Sequence, residues 1–134
     1  MADDLHEFIN LCYAALTQQS QGNPKPPLDL WSRGDDVTIM AAVGGYQVGF
    51  EAVSKLLTWA STAQNFQGWS AENLAKLAGP ESGMSVELEH YALHLDGEDK
   101  AMTLRATQVY RRENGEWRIV DRHGDILTDI EVKW

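Results

Sequence analysis

Apolar side chains in the first half of this chain recur at helical spacing. Leu5, Phe8, Ile9, Cys12 and Leu16 form one stripe, with Asp3, Asp4 and Glu7 ahead of it, where carboxylates favour a helix dipole; the pattern predicts a helix from about Asp3 to Gln19. Gln18 to Pro27 is polar and holds three prolines, so it reads as a loop, and Leu28 to Trp31 as one short helical turn. Asp36 to Ala42 reads as a strand, broken by Gly44-Gly45 before a short extended piece, Tyr46 to Val48. Phe50, Val53, Leu57, Ala60 and Ala63, widened by Leu56 and Trp59, predict a second amphipathic helix from Phe50 to Gln64. From there the period changes to two. Gly68 to Ala78 and Met84 to Leu95 read as strands joined by the turn Gly79 to Gly83, and Asp96 to Asp99 turns the chain again. Helices first and long consecutive strands after them mean an α+β domain with a mostly antiparallel sheet.

The stretch from Met102 to Asp125 carries the sharpest local signal. Two β-prone runs flank Asn114-Gly115, the pair that best tolerates the positive φ of a type I′ turn. A two-residue loop sets the register: Arg112 faces Trp117, Tyr110 faces Ile119, Gln108 faces Asp121, Ala106 faces His123 and Leu104 faces Asp125. Alternation then sorts the side chains. Leu104, Ala106, Gln108, Tyr110, Trp117, Ile119, Asp121, His123 and Asp125 share the face expected to line the interior. Arg105, Thr107, Val109, Arg111, Arg118, Val120 and Arg122 share the outer face. A bulge would exchange the faces beyond it.

Composition narrows the function classes. At 134 residues the chain has the size of one domain with one core, spanning 1–134. A net charge of −9 argues against nucleic acid and anionic membranes. The single cysteine, Cys12, cannot make an intramolecular disulfide, and it falls on the apolar stripe of the first helix as a small hydrophobe. No uninterrupted apolar run approaches a membrane span, and the first residues lack the basic and apolar regions of a signal peptide, so a cytoplasmic protein is expected. Gly44-Gly45 lacks the Lys-Ser/Thr of a phosphate loop and the spacing of a dinucleotide fingerprint, and no other cofactor motif is present.

Three stretches resemble a known family. They are Leu30-Trp-Ser-Arg-Gly-Asp-Asp-Val-Thr-Ile followed by Gly44-Gly45 and Gly49; Ser85-Val-Glu-Leu-Glu-His; and Thr103 through Val120 with Arg122-His-Gly-Asp after it. Together they resemble the SnoaL-like branch of the nuclear transport factor 2-like, ketosteroid isomerase-like superfamily. The resemblance implies a cystatin-like α+β roll: a cone-shaped, strongly curved, mostly antiparallel sheet with N-terminal helices on its concave face. It also implies a pocket at the wide end and a homodimer through the sheet. It favours Glu89 over its neighbour His90 as the inward group. Where the family pattern carries a second histidine, this chain has Asp121. The superfamily spans isomerases, cyclases, dehydratases, hydrolases and non-catalytic modules, so function has to come from the site.

The candidate chemistry centres on His123 with Asp121 and Asp125, at two-residue spacing on one predicted face; a histidine among carboxylates can donate or accept a proton in a pocket. These three are the expected catalytic residues. Gln108, Glu89, Trp31 and Tyr46 are the expected ligand-binding residues. The same His and Asp set offers nitrogen and oxygen to a metal, but nothing else in the chain marks a metal site, and His90 with His94 makes no compact chelate on a strand. The expected function is a small-molecule pocket protein for an apolar, carbonyl-containing ligand. As an enzyme it would need no cofactor and would isomerise, cyclise or dehydrate its substrate. The alternative is a non-catalytic ligand-binding or dimerisation module. The outer arginines and a Val109–Val120 patch are the expected dimer surface.

Overall fold

The structure, a computed structural model, describes residues 4–63 and 66–128. The element order is α1 (Asp4–Ser20), α2 (Lys25–Leu30), β1 (Thr38–Met40), β2 (Tyr46–Val48), α3 (Phe50–Ala63), β3 (Phe66–Ala78), β4 (Ser82–Leu95), β5 (Glu98–Glu113) and β6 (Glu116–Ile126). The strands form one six-stranded sheet in the order β2-β1-β6-β5-β4-β3. All neighbours are antiparallel except β1 and β6, which run parallel. The α+β class, the mostly antiparallel sheet and the two long helices are as the periodicity predicts.

The helices cover one face of this sheet. Leu5, Phe8, Ile9 and Cys12 of α1 and Val53 and Leu57 of α3 join Trp31, Val37, Ile39, Tyr110, Trp117 and Ile119 in one buried core. Phe8 meets Tyr110 edge-on, with ring centroids 5.6 Å apart. The loop predicted from Gln18 to Pro27 is shorter, 21–24, because Gln18 to Ser20 complete α1 and Lys25 to Pro27 begin α2. Pro26 and Pro27 permit this because the first turn of a helix has no backbone N–H to lose.

Asn114 and Gly115 both take positive φ, 54° and 80°, as the hairpin turn requires. From the turn, Glu113 pairs with Glu116, Arg112 with Trp117 and Tyr110 with Ile119, as predicted. The ladder then slips. Val109 pairs with Asp121, Gln108 with Arg122, Thr107 with His123, Ala106 with Gly124 and Arg105 with Asp125. Val120 is the extra residue of a β-bulge, and beyond it every side chain of β6 changes face. Arg122, Gly124 and Ile126 therefore turn toward the helices. Asp121, His123 and Asp125 turn to the outside, contrary to the expectation from an unbroken ladder.

Candidate functional site

Between the helices and the concave side of the sheet lies a cavity of about 190 Å³. Its wall is mainly apolar: Leu16, Pro27, Leu30 and Trp31 from the N-terminal third, Leu56 and Leu57 from α3, and Ile39, Leu104 and Ile119 from the sheet. Cys12, Ala15, Leu16 and Gln19 all line it, because positions spaced by three and four residues share one face of α1. The apolar lining continues to the surface through Val43, Trp59 and Ile126, each about half exposed (58%, 50% and 46%).

The polar groups at this side of the cavity come from three adjacent strands, with Gln108 and Arg122 on the wall and Glu89 bonded to Arg122 behind it. Glu89 on β4 and Gln108 on β5 face inward by simple alternation, and Arg122 on β6 joins them only because of the bulge. Arg122 grips Glu89 with both ends of its fork: Nη1 donates to Oε2 at 3.0 Å and Nη2 to Oε1. Nη1 also donates to Gln108 Oε1 at 3.0 Å. The pair is almost fully enclosed, the side chains 13% and 2% exposed. Tyr91 completes the carboxylate shell by donating its hydroxyl to Glu89 Oε1 at 2.8 Å. A guanidinium has five N–H hydrogens and no acceptor; Glu89 and Gln108 take three of them, and the Tyr91 hydroxyl takes a further hydrogen bond from Arg122.

Behind this pair runs a directed chain of hydrogen bonds. Gln108 Nε2 donates to the Tyr110 hydroxyl at 3.0 Å, and Ser85 Oγ donates to Glu87 Oε1 at 2.8 Å. With its own proton committed to Glu87, Ser85 must accept from Tyr110 in the contact those two hydroxyls make. The donors thus all point from the Arg122 cation toward the Glu87 carboxylate, an arrangement in which each bond polarises the next. Glu87 Oε2 also accepts from Tyr13 at 2.9 Å and from Asn73 at 2.7 Å.

Electrostatics hold these groups in fixed protonation states. Burial by itself would raise the Glu89 carboxyl, but the charge of Arg122, its hydrogen bonds and the Tyr91 hydroxyl together outweigh burial and keep it below the ordinary value. Burial works against the Arg122 cation, and the Glu89 charge and hydrogen bond reverse it, so Arg122 stays protonated. Burial and the Glu89 charge push Tyr91 well above the usual phenol range. Burial and the Glu87 charge push the Cys12 thiol up to about 12, so this cysteine is inert at neutral pH.

The sequence-predicted residues fall in different places. Glu89, Gln108 and Trp31 come together around the cavity, and Gln108 and Trp31 line its wall. Tyr46 does not; it lies on the edge strand β2, 65% exposed. The trio at positions 121, 123 and 125 is on the opposite face of the sheet, split among separate partners. Asp121 accepts from Thr38 Oγ1 at 2.6 Å, Asp125 is engaged by Arg105 at 2.7 and 3.0 Å, and His123 is exposed beside Thr107. The Arg105 hydrogen bond, then burial working weakly against it, then the Arg105 charge set the Asp125 carboxyl, with the balance below its ordinary value. Alternation alone assigns Arg122 to the outer face, yet it is the centre of the polar wall. Its one sequence signal is its fit as a counter-charge to an inward Glu89.

Comparison with known proteins agrees with this architecture. A SnoaL-like domain model matches residues 10–128. The chain belongs to the SnoaL-like domain family. Among solved structures, a ketosteroid isomerase-like protein from Erwinia carotovora atroseptica superposes with a TM-score of 0.77 at 11% identity, over 96% of this chain and 99% of that one. A nuclear transport factor 2-like superfamily protein from Salmonella enterica serovar Typhimurium gives 0.73 at 17% identity, covering 94% and 90%. A Caulobacter vibrioides protein with a cystatin-like fold gives 0.67 at 18% identity, covering 96% and 90%. At these identities the likeness is one of fold. No curated protein is similar enough to this chain to match it. Among the described residues no helix is long and apolar enough to cross a membrane, and no group of three or more His, Cys, Asp or Glu side chains is placed to hold a metal ion.

Proposed function

We propose that this SnoaL-like domain binds a small, slender, largely apolar molecule whose neutral hydrogen-bond acceptor, such as a carbonyl oxygen, docks on Arg122. The observation that carries the reading is Arg122, set into an apolar wall and paired with the buried Glu89. The pair's net charge is zero, so it does not call for a carboxylate or phosphate. Arg122 lines the wall and a guanidinium can only donate, so a polar group that meets it in the cavity must be an acceptor. The cavity is smaller than the roughly 300–1,000 Å³ that holds drug-sized ligands, which limits the occupant to a small molecule.

Binding without proton transfer is favoured over isomerisation or dehydration. A general acid or base works best with a pKa near the operating pH. Around this cavity Glu89 is held down, while Cys12, Tyr91 and Arg122 are held up. The chain's four histidines, His6, His90, His94 and His123, are not on the cavity wall.

Gly124 supplies the test. It lies on the wall, and a methyl group built on it would meet only the Arg105 carbonyl, at 3.9 Å. Gly124→Leu should therefore fill the cavity without disturbing the sheet. Neutral ketones and esters found by thermal-shift screening should stabilise the native protein and lose that effect in Gly124→Leu. Binding that survives the substitution, or stronger binding by the matching carboxylates, would contradict this reading. Conversion of a bound ketone into a product would replace a binding module with an enzyme.

A further inference from the structure

The cavity wall has a second polar feature, on α1 rather than on the sheet that carries Arg122. The side-chain oxygen of Gln19 is buried and accepts no hydrogen bond from the described residues. Buried acceptors in folded proteins are nearly always satisfied, so an orphan on a cavity wall marks where a bound group belongs. Gln19 sits on the α1 stripe that begins with Cys12, and Cys12 lies against Gln108 and within electrostatic reach of Arg122. Seven residues separate Cys12 from Gln19, which at the helical rise is about 10 Å. The wall between them is Ala15 and Leu16 on the helix, faced by Trp31 and Ile119.

We infer that the occupant is two-headed: a neutral molecule with an acceptor at one end for Arg122, a hydroxyl or N–H donor at the other for Gln19 Oε1, and about 10 Å of apolar scaffold between them. This rests on the binding reading above and names the ligand class it implies. The two heads make opposite demands. Arg122 can only donate, and the Gln19 oxygen can only accept. A ketone at both ends or a hydroxyl in reversed orientation would leave one buried group unpaired. The small volume spread over this length is narrow, so the scaffold is a chain or a single ring with a short arm. A hydroxy-ketone or hydroxy-ester of that shape satisfies every constraint.

Three matched probes separate the contributions: para-hydroxybenzylacetone has both heads, benzylacetone only the ketone, and para-butylphenol only the hydroxyl. Calorimetric titration of the whole chain should find para-hydroxybenzylacetone about tenfold tighter than either single-headed probe, the effect of one hydrogen bond to a desolvated partner. In Gln19→Leu, and in the unbranched Gln19→Met as a second variant, its advantage over benzylacetone should vanish while benzylacetone itself binds as before. Equal affinity of para-hydroxybenzylacetone and benzylacetone in the unmodified protein, or no change in Gln19→Met, would overturn the two-headed ligand; if Gly124→Leu still blocks both probes, the binding cavity itself stands. Failure of all three probes to bind, or binding unaffected by Gly124→Leu, would remove both inferences together.

Discussion

Arg122 and Glu89 stabilise the fold only as a pair. Two charges enclosed at this depth cost several kcal/mol each in lost hydration, and their mutual attraction and bidentate geometry offset that cost. Removing one partner leaves the other buried and uncompensated. Arg122→Met alone should therefore cost about 3–5 kcal/mol in urea denaturation. The double variant Glu89→Gln/Arg122→Met should cost about 2 kcal/mol less than the sum of the single changes. Additive losses would mean the two side chains do not depend on each other. The pair also sets a pH dependence. Glu89 is held below its ordinary value of 4.5, so the folded state binds this proton less readily than the unfolded chain. Its stabilisation is fully present above that ordinary value and is lost as pH falls through the folded one. Denaturation followed from neutral pH into acid should show a decline that is shallower in the double variant. Identical slopes would place the acid sensitivity in other carboxylates.

At the scale of the element, one inserted residue decides which side chains reach the cavity. Up to Ile119 the β5–β6 ladder follows the Asn114-Gly115 turn, and beyond Val120 every inward position belongs to the residue that simple alternation would put outside. Deleting Val120 should restore the unbroken ladder, turning Asp121 and His123 inward and Arg122 outward. Glu89 would then lose its counter-charge, and Val120 its packing against the core. We expect a loss of about 3–5 kcal/mol, comparable to breaking the buried pair directly. A deletion variant as stable as the parent would show that β6 accepts either register. Thr38 reinforces the observed one by donating to Asp121 from the parallel strand β1, as does Arg105 by clamping Asp125 on the outer face.

The whole molecule offers an empty interior and a partly apolar exterior. Filling the interior with Gly124→Leu should leave the midpoint of denaturation unchanged or raise it, since the change adds apolar contacts and replaces a glycine within a strand. A marked fall would mean the space is needed for packing. On the outer face, Met84, Val86, Leu88 and Val109 are half-buried, and Leu77 is 67% exposed. The arginines of that face already have partners within the chain: Arg105 with Asp125, Arg111 with Asp36 and Glu113, and Arg118 with Glu116. The case for self-association therefore rests on the apolar side chains, which gain most from leaving water. We expect a homodimer through this face. Light scattering at micromolar concentration checks it, and a monomer there would rule it out.

Local chemistry determined much of this protein without help from the tertiary structure. Period-three-and-four stripes gave α1 and α3, period-two runs gave the long strands, and Asn114-Gly115 gave the turn and the register as far as Ile119, because each depends on neighbours within a few residues. The inward direction of Gln108 was legible for the same reason, whereas local pattern left the face of β4 open and only the family resemblance chose Glu89 over His90. The bulge at Val120 was not. Nothing in Val120 distinguishes it from an ordinary strand residue; the slip is set where β6 must pair with β5 on one side, run parallel to β1 on the other and supply a cation to Glu89 across the sheet. Glu89 and β1 lie about 30 to 80 positions away in sequence. Only folding brings them together, and so only the tertiary structure could exchange His123 for Arg122 on the cavity wall.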